Sequence, residues 1–148
     1  MKKNWQKVTN KGLDHAHYQA DALILYCVDN RGKKAFEEFL FKKRFQRYDL
    51  IMIPGGAKSL TENDEVERQI ILDYIKKLVG LHKAEKIILT THADCGACGG
   101  SAAFGNDAEK ERRTHEQWLV SAKSFLSERF VVPVEIYFVD FEGFWQIT

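Results

Sequence analysis

The chain of 148 residues is short of several things, and each shortage narrows what it can be. It has little net charge: Lys+Arg 22 against Asp+Glu 21 leaves +1, which excludes a broad polycationic face and with it nucleic acid as a main partner. It has no long apolar run. The longest, Ala22 to Val28, is far too short to span a bilayer, and the charged start Met-Lys-Lys-Asn-Trp leads into no apolar stretch of signal-peptide length. A cytoplasmic protein with no membrane association is therefore expected. Three cysteines are an odd number and too few for a disulfide framework, so in a reducing compartment they read better as metal ligands or nucleophiles. There is no internal repeat, low-complexity stretch or linker. What remains is an ordinary globular mix, 45% hydrophobic and 29% charged, of a length that suits one domain over residues 1–148.

Four short runs rich in branched residues read as strands: Ala22–Cys27, Asp49–Ile53, Lys86–Thr91 and Val134–Val139. The first three are almost continuously apolar, as strands buried on both faces of a parallel sheet must be. Between them lie segments with helical spacing. Lys33–Phe45 gathers Phe36, Phe39 and Leu40 on one side; Asp64–Val79 aligns Val66, Ile70, Tyr74 and Leu78 with Ile71 and Ile75; Glu109–Arg129 carries Trp118, Leu119, Ala122, Phe125 and Leu126. Thr61-Glu-Asn-Asp64 fits a capping box, and Gly80 is placed to cap the C-terminus of the second helix. The alternation predicts a three-layer α/β fold, a mainly parallel central sheet of core order 2-1-3-4 flanked by helices. Residues 1–20 are expected as helical or extended arms. The apolar tail Phe141–Thr148 is expected as an added edge strand or an interface segment, which makes a dimer plausible.

The residues with chemistry gather at strand ends. Cys27 ends the first strand and leads into Cys-Val-Asp29-Asn-Arg31, and His92 ends the third and opens His-Ala-Asp-Cys95-Gly. In an open parallel sheet of this order the first and third strands are neighbours and their helices lie on opposite faces. Their carboxyl ends then bound a crevice, where sites form. Two thiolates and an imidazole suit Zn²⁺, and three protein ligands leave a fourth position open for water. Asp29 and Arg31, alternate residues of an extended segment, can pair so that the carboxylate stays ionised and faces that position; released by Arg31, Asp29 could occupy it. Cys98 admits two other readings, a Cys95-x-x-Cys98 redox pair and a ligand set of His92, Cys95 and Cys98, besides a small residue packed in a glycine-rich turn.

The five residues Cys27, Asp29, Arg31, His92 and Cys95, with their separation and strand context, resemble the zinc signature of the β-class carbonic anhydrases. The resemblance runs from about Gln19 to Gly100. It implies two cysteine ligands and one histidine ligand to zinc, an Asp29–Arg31 dyad, CO₂ and bicarbonate as substrates, and a homodimer or higher homo-oligomer. Gln19 lies near a family glutamine that binds bicarbonate across the dimer interface. One departure stands out: where the family has Arg-Asn-Ala-Gly after the second strand, this chain reads Ile53-Pro-Gly-Gly-Ala-Lys58.

The expected activity is therefore reversible hydration of CO₂ by zinc-activated water. Two rivals are hydrolysis of a CO₂ analogue such as carbonyl sulfide or carbon disulfide, and a non-catalytic zinc module with Asp29 as permanent fourth ligand. Gly55-Gly56-Ala57-Lys58-Ser59 lacks P-loop spacing and reads as a tight turn. A zinc deaminase is excluded by the missing His-x-Glu and Pro-Cys elements. His15 and His17 have no acid or cysteine partners in the pattern. His82 and His115 are expected at helix ends or on polar faces, without a role.

Overall fold

In the computed structural model, which describes residues 4–61 and 64–148, five strands form one sheet of order β2-β1-β3-β4-β5. The strands are β1 (Ala22–Cys27), β2 (Tyr48–Ile53), β3 (Ile87–His92), β4 (Val134–Val139) and β5 (Phe144–Ile147). The first three neighbour pairs run parallel and β4–β5 runs antiparallel. The helices are α1 (Lys33–Lys43), α2 (Glu65–His82) and α3 (Ala108–Ser127). The core order matches that expected, and the apolar tail supplies the edge strand β5.

The central strands are covered on both faces, so β1 is buried at all six positions, whereas β2, expected to be buried on both faces, lies at the sheet edge and leaves Leu50 and Met52 exposed. Alternation sorts the β1 side chains between two cores. Leu23 and Leu25 join Ile87, Leu89, Ile136 and Phe138 beneath α2 and α3, whose Ile71, Ile75, Leu119 and Leu126 fill the layer. Ala22, Ile24 and Tyr26 join Ile88, Tyr137 and Val139 on the other face, closed by Phe39 of α1. Phe144 of β5 stacks on Phe39 with ring centroids 4.4 Å apart, which ties the tail to that core. With α1 opposite α2 and α3, the connections leave β1 and β3 in opposite directions. Their paired register covers Leu23–Leu25 against Ile87–Leu89, so the carboxyl ends beyond it part into a crevice.

Three further local expectations need correction. Gly80 does not end α2. The helix continues to His82, and Lys83 takes the left-handed cap conformation at φ 48°. Packing carries it past the glycine: the His82 carbonyl accepts from Ala20 N at 2.9 Å, and the His82 ring bonds Asp49 through Nδ1 at 2.8 Å. The N-terminus of α2 is capped by Asp64, which accepts from the N–H groups of Val66 and Glu67, while the Thr61 hydroxyl donates to the Lys58 carbonyl. The middle of the proposed Thr61–Asp64 capping box, residues 62 and 63, lies outside the described residues. His115 is neither terminal nor on a polar face. It sits in the middle of α3 with no exposed surface, ringed by Phe104, Trp118 and Phe138.

Among the described residues, those from 4 to 21 carry no helix or strand, and Trp5, Val8 and Leu13 are exposed. No helix among the described residues is long and apolar enough to cross a membrane.

Candidate metal centre

Cys27 is the last residue of β1 and His92 the last of β3, so the topology alone brings them to one crevice. Cys95 arrives by a tight turn. Asp94 takes a left-handed conformation at φ 51°, and a single turn of 3-10 helix over Gly96–Cys98 follows. The Cys95 carbonyl accepts from both Cys98 N (2.9 Å) and Gly100 N (2.8 Å), which fixes the turn beneath the side chain. The thiols of Cys27 and Cys95 and a ring nitrogen of His92 all lie within 4.8 Å of one another, and both cysteines are buried.

The donor set fits zinc. Tetrahedral zinc with Zn–S bonds of about 2.3 Å separates two sulfurs by about 3.8 Å, and Cys27 Sγ lies 3.9 Å from Cys95 Sγ. His92 Nδ1 is 2.7 Å from the Ala93 carbonyl, a contact only an N–H can make well. That leaves Nε2 facing the cluster, buried and with no hydrogen-bond partner. It is the position that holds a proton when no metal is there and offers its lone pair when one is. The thiols need the same partner. Hydrogen bonding to Cys95 and burial push Cys27 up to about 11, with the His92 ring pulling the other way. His92 itself is raised to about 10: burial opposes its charge, but the sulfurs of Cys27 and Cys95 and the Ala93 carbonyl outweigh it. A divalent cation reverses this proton-holding arrangement, since it binds thiolate and neutral imidazole.

Asp29 stands beside this cluster, with Oδ2 3.9 Å from His92 Nε2. The segment is not extended as expected. Asp29 caps a 3-10 turn over Asn30–Gly32, accepting from Arg31 N at 3.0 Å, and the Arg31 side chain folds back over its carboxylate. Nη2 donates to Asp29 Oδ2 at 2.6 Å and Nε bridges both oxygens at 3.0 and 3.1 Å. This grip, with the Arg31 backbone N–H, holds Asp29 down to about 2, so it is ionised at any physiological pH. Beside the dyad opens a cleft of about 320 Å³ lined by Tyr26, His92, Val139 and Phe141 among others.

Two residues at this centre escaped the sequence reading. Asp94 gives Arg31 a second carboxylate, accepting from Nη1 at 2.9 Å, and its carbonyl accepts from Nη2 at 2.8 Å. Glu111 of α3, 3% exposed, accepts from Asp94 N at 2.7 Å and from the Ser101 hydroxyl at 2.9 Å. A signal for Glu111 existed: it lies in phase with Leu119, Ala122 and Leu126, so a charged residue was aimed at the core side of α3.

Other candidates lie elsewhere. Cys98 is partly exposed and lies against the turn at Gly55. His15 and His17 are on the exposed arm. Gln19 precedes β1, at the opposite end of that strand from Cys27, with its amide 3.3 Å from the Lys83 carbonyl. Within one chain it does not reach the cluster. The Pro54–Lys58 loop is a tight turn whose Gly55 and Gly56 have φ of 82° and 56°. A Cβ on Gly56 would strike the Thr90 carbonyl oxygen, so glycine lets the loop pack on β3.

A family model described as putative carbonic anhydrase matches residues 18–148. No curated protein matches the sequence. Among solved structures, a β-carbonic anhydrase of the ascomycete Sordaria macrospora superposes with a TM-score of 0.61 at 12% identity, covering 88% of this chain and 82% of its own. A carbonic anhydrase from Glaciozyma antarctica gives 0.58 at 15% identity over 88% and 84%. A β-carbonic anhydrase from Trichomonas vaginalis gives 0.55 at 15% over 94% and 87%. At such identities these likenesses speak to the fold, and the family match covers most of the sequence. The chain belongs to the carbonic anhydrase family and has its β-class fold.

Proposed function

We propose that this chain is a zinc-dependent carbonic anhydrase that converts CO₂ and water reversibly to bicarbonate and a proton. The observation that carries the reading is the convergence of two thiols and an orphaned imidazole nitrogen, with an ionised carboxylate 3.9 Å from that nitrogen. Cys27, His92 and Cys95 would hold the metal. Zinc, when bound, supplies Lewis acidity that lowers the pKa of water from about 16 toward roughly 7.

The chain's own residues do the rest. Arg31 keeps Asp29 charged and fixed, so Asp29 accepts a hydrogen bond from the attacking water and turns its free lone pair to the carbon. A C–O bond forms, one C=O π bond opens onto oxygen, and the released proton leaves through water in the cleft. Tyr26, Val139 and Phe141 offer the apolar wall that an uncharged linear molecule needs.

One rival reading has a specific observation behind it. Asp29 is close enough to become a permanent fourth ligand if Arg31 lets go, which would make a closed, non-catalytic zinc module. Zinc analysis with stopped-flow CO₂ hydration separates the two. About one zinc per chain with hydration far above the buffer rate supports the enzyme. A zinc-loaded protein inactive from neutral to alkaline pH sinks it, and Asp29→Ala weakening zinc retention would favour the closed module. Sulfide release from carbonyl sulfide or carbon disulfide would identify a CO₂ analogue as substrate. A homo-oligomer in the cytoplasm is part of the proposal: the Sordaria relative is tetrameric, and Gln19 could meet a cluster only in a partner.

A further inference from the structure

The Asp29–Arg31 pair does not stand alone: Arg31 is also held from behind. Its guanidinium spans two carboxylates. Nε and Nη2 face Asp29, while Nη1 donates to Asp94 Oδ2 and Nη2 also to the Asp94 carbonyl. Asp94 can offer both oxygens only because its backbone is left-handed at φ 51°, a conformation a non-glycine residue keeps when its surroundings impose it. Two contacts impose it. Ser101 N donates to Asp94 Oδ1 at 3.0 Å, and Asp94 N donates to Glu111 Oε1 at 2.7 Å. Glu111 is 3% exposed and spends its second oxygen on the Ser101 hydroxyl. Each oxygen of this buried carboxylate therefore fixes one end of the Asp94–Ser101 turn.

We infer that Glu111 is a positioning residue: through Asp94 it sets the pose of Arg31 and so decides whether Asp29 stays beside the metal position or enters it. This rests on the zinc-enzyme reading above. Arg31 is about half exposed, and a guanidinium gripping Asp29 alone would swing with it. Tied also to a turn anchored on α3, it becomes a fixed post. Without Glu111 the Asp94 N–H loses its acceptor, the left-handed backbone relaxes, and both Asp94 oxygens leave Arg31.

The chain Glu111–Asp94–Arg31–Asp29 is tested with the zinc and cobalt forms of the full-length protein carrying Glu111→Ala, Glu111→Gln or Ser101→Ala. Gln keeps both contacts, accepting from Asp94 N through its carbonyl and donating to the Ser101 oxygen, so geometry survives while charge is lost. Expected results are a fall of tenfold or more in kcat for Glu111→Ala with KM within threefold, a smaller fall for Ser101→Ala, and Glu111→Gln within threefold of wild type. The visible spectrum of the cobalt form gives a second readout. For Glu111→Ala it should differ from wild type at neutral pH, as a changed fourth ligand requires, and for Glu111→Gln it should coincide. Zinc release to a chromogenic chelator separates a moved Asp29 from a moved Cys95, whose turn begins at Asp94. Release within a few-fold of wild type is expected, and release as fast as in Cys95→Ser would mean that the turn has given up its ligand and would overturn the inference. If Glu111→Ala does not fold, Ser101→Ala against Glu111→Gln still compares the loss of one contact with the retention of both. A lower kcat and an altered cobalt spectrum in Ser101→Ala alone support the inference, and no difference between the two overturns it. Coincident cobalt spectra and unchanged kcat in the destabilised-turn variants overturn the inference, as does Glu111→Gln failing as badly as Ala. If no form, wild type included, hydrates CO₂, the enzyme reading falls while the cobalt spectra still decide the positioning role.

Discussion

Replacing His115 by Phe should make the protein's stability less dependent on acid, by an amount the structure allows to be worked out. The imidazole has no exposed surface, and neither ring nitrogen has a hydrogen-bond partner. Its neighbours are the rings of Phe104, Trp118 and Phe138, at centroid distances of 5.8, 4.7 and 5.3 Å. Burial holds its pKa down to about 4, helped by the positive ends of His92 and Lys58, against 6.5 for a free histidine. The fold therefore favours the neutral ring. Above pH 6.5 both folded and unfolded chains carry it neutral, and its contribution is complete. Between 6.5 and 4 only the unfolded chain takes up the proton, so stability falls as pH falls. A depression of this size corresponds to about 3 kcal/mol lost across that window. Urea denaturation followed by far-UV circular dichroism at pH 7, 6, 5 and 4, on wild type and His115→Phe in the same metal state, isolates the difference. The gap between the two proteins should shift by about 3 kcal/mol in favour of Phe between pH 7 and pH 4. His115→Gln, polar but not titrating, should show a flat gap to Phe and a lower stability, because its buried amide is left unpaired. A wild type–Phe gap that does not change with pH would refute the reasoning, and would mean that a buried solvent or ionic partner charges the ring inside the fold.

Three further outcomes are expected. Cys95→Ser should cut zinc retention by a hundredfold or more in chelator competition, because an alkoxide is a poor replacement for thiolate and the tetrahedral set becomes incomplete. Glu135 pays for burial but is held down to about 2 by Lys86 (2.6 Å), Tyr137 (2.7 Å) and Lys43 (3.3 Å), so its contribution is complete above about 4.5 and is lost as pH falls toward 2. Glu135→Gln should therefore flatten the acid limb of the urea midpoint below pH 4.5 by at most about 3 kcal/mol, discounted for the partly exposed lysines. Gly56→Ala should lower thermal stability by roughly 2 kcal/mol or more, read by calorimetry, because its φ of 56° and the Thr90 carbonyl leave a methyl group no room.

How far the sequence could be read depended on whether a feature was local or assembled. The strands were legible because each is a short apolar run: β1 and β3 are buried almost throughout, and that burial is written in Ala22–Cys27 and Ile87–Thr91 themselves. Their order followed from the alternation with helices. That order is what lets Cys27 and His92, 65 positions apart, be expected at one crevice, and the structure brings them together with Cys95. The pairing of Asp29 with Arg31 was legible too, but its backbone was not. Asp29 caps a 3-10 turn, and a residue that can accept its own downstream N–H does so in preference to staying extended.

The features missed share a physical cause: each depends on what packs against it from far along the chain. Gly80 has the local credentials of a helix cap, but His82 is clasped by Ala20 and Asp49, 62 and 33 positions away in sequence, and this contact overrides the preference of one glycine. His115 and Glu111 sit one helical turn apart on the core side of α3, where periodicity alone would place apolar residues. Sequence can show that the pattern is broken there, but not why it is worth breaking. For Glu111 the reason is the Asp94 N–H and the Ser101 hydroxyl, donors delivered by the turn after the cysteine ligand. A buried carboxylate without them would cost several kcal/mol. With them it becomes a polar link between the helix that covers the sheet and the guanidinium that holds Asp29. Since such a link is costly to bury unless fully paired, its completeness here argues that the pose of Arg31, rather than the packing of α3, is what Glu111 is there to set.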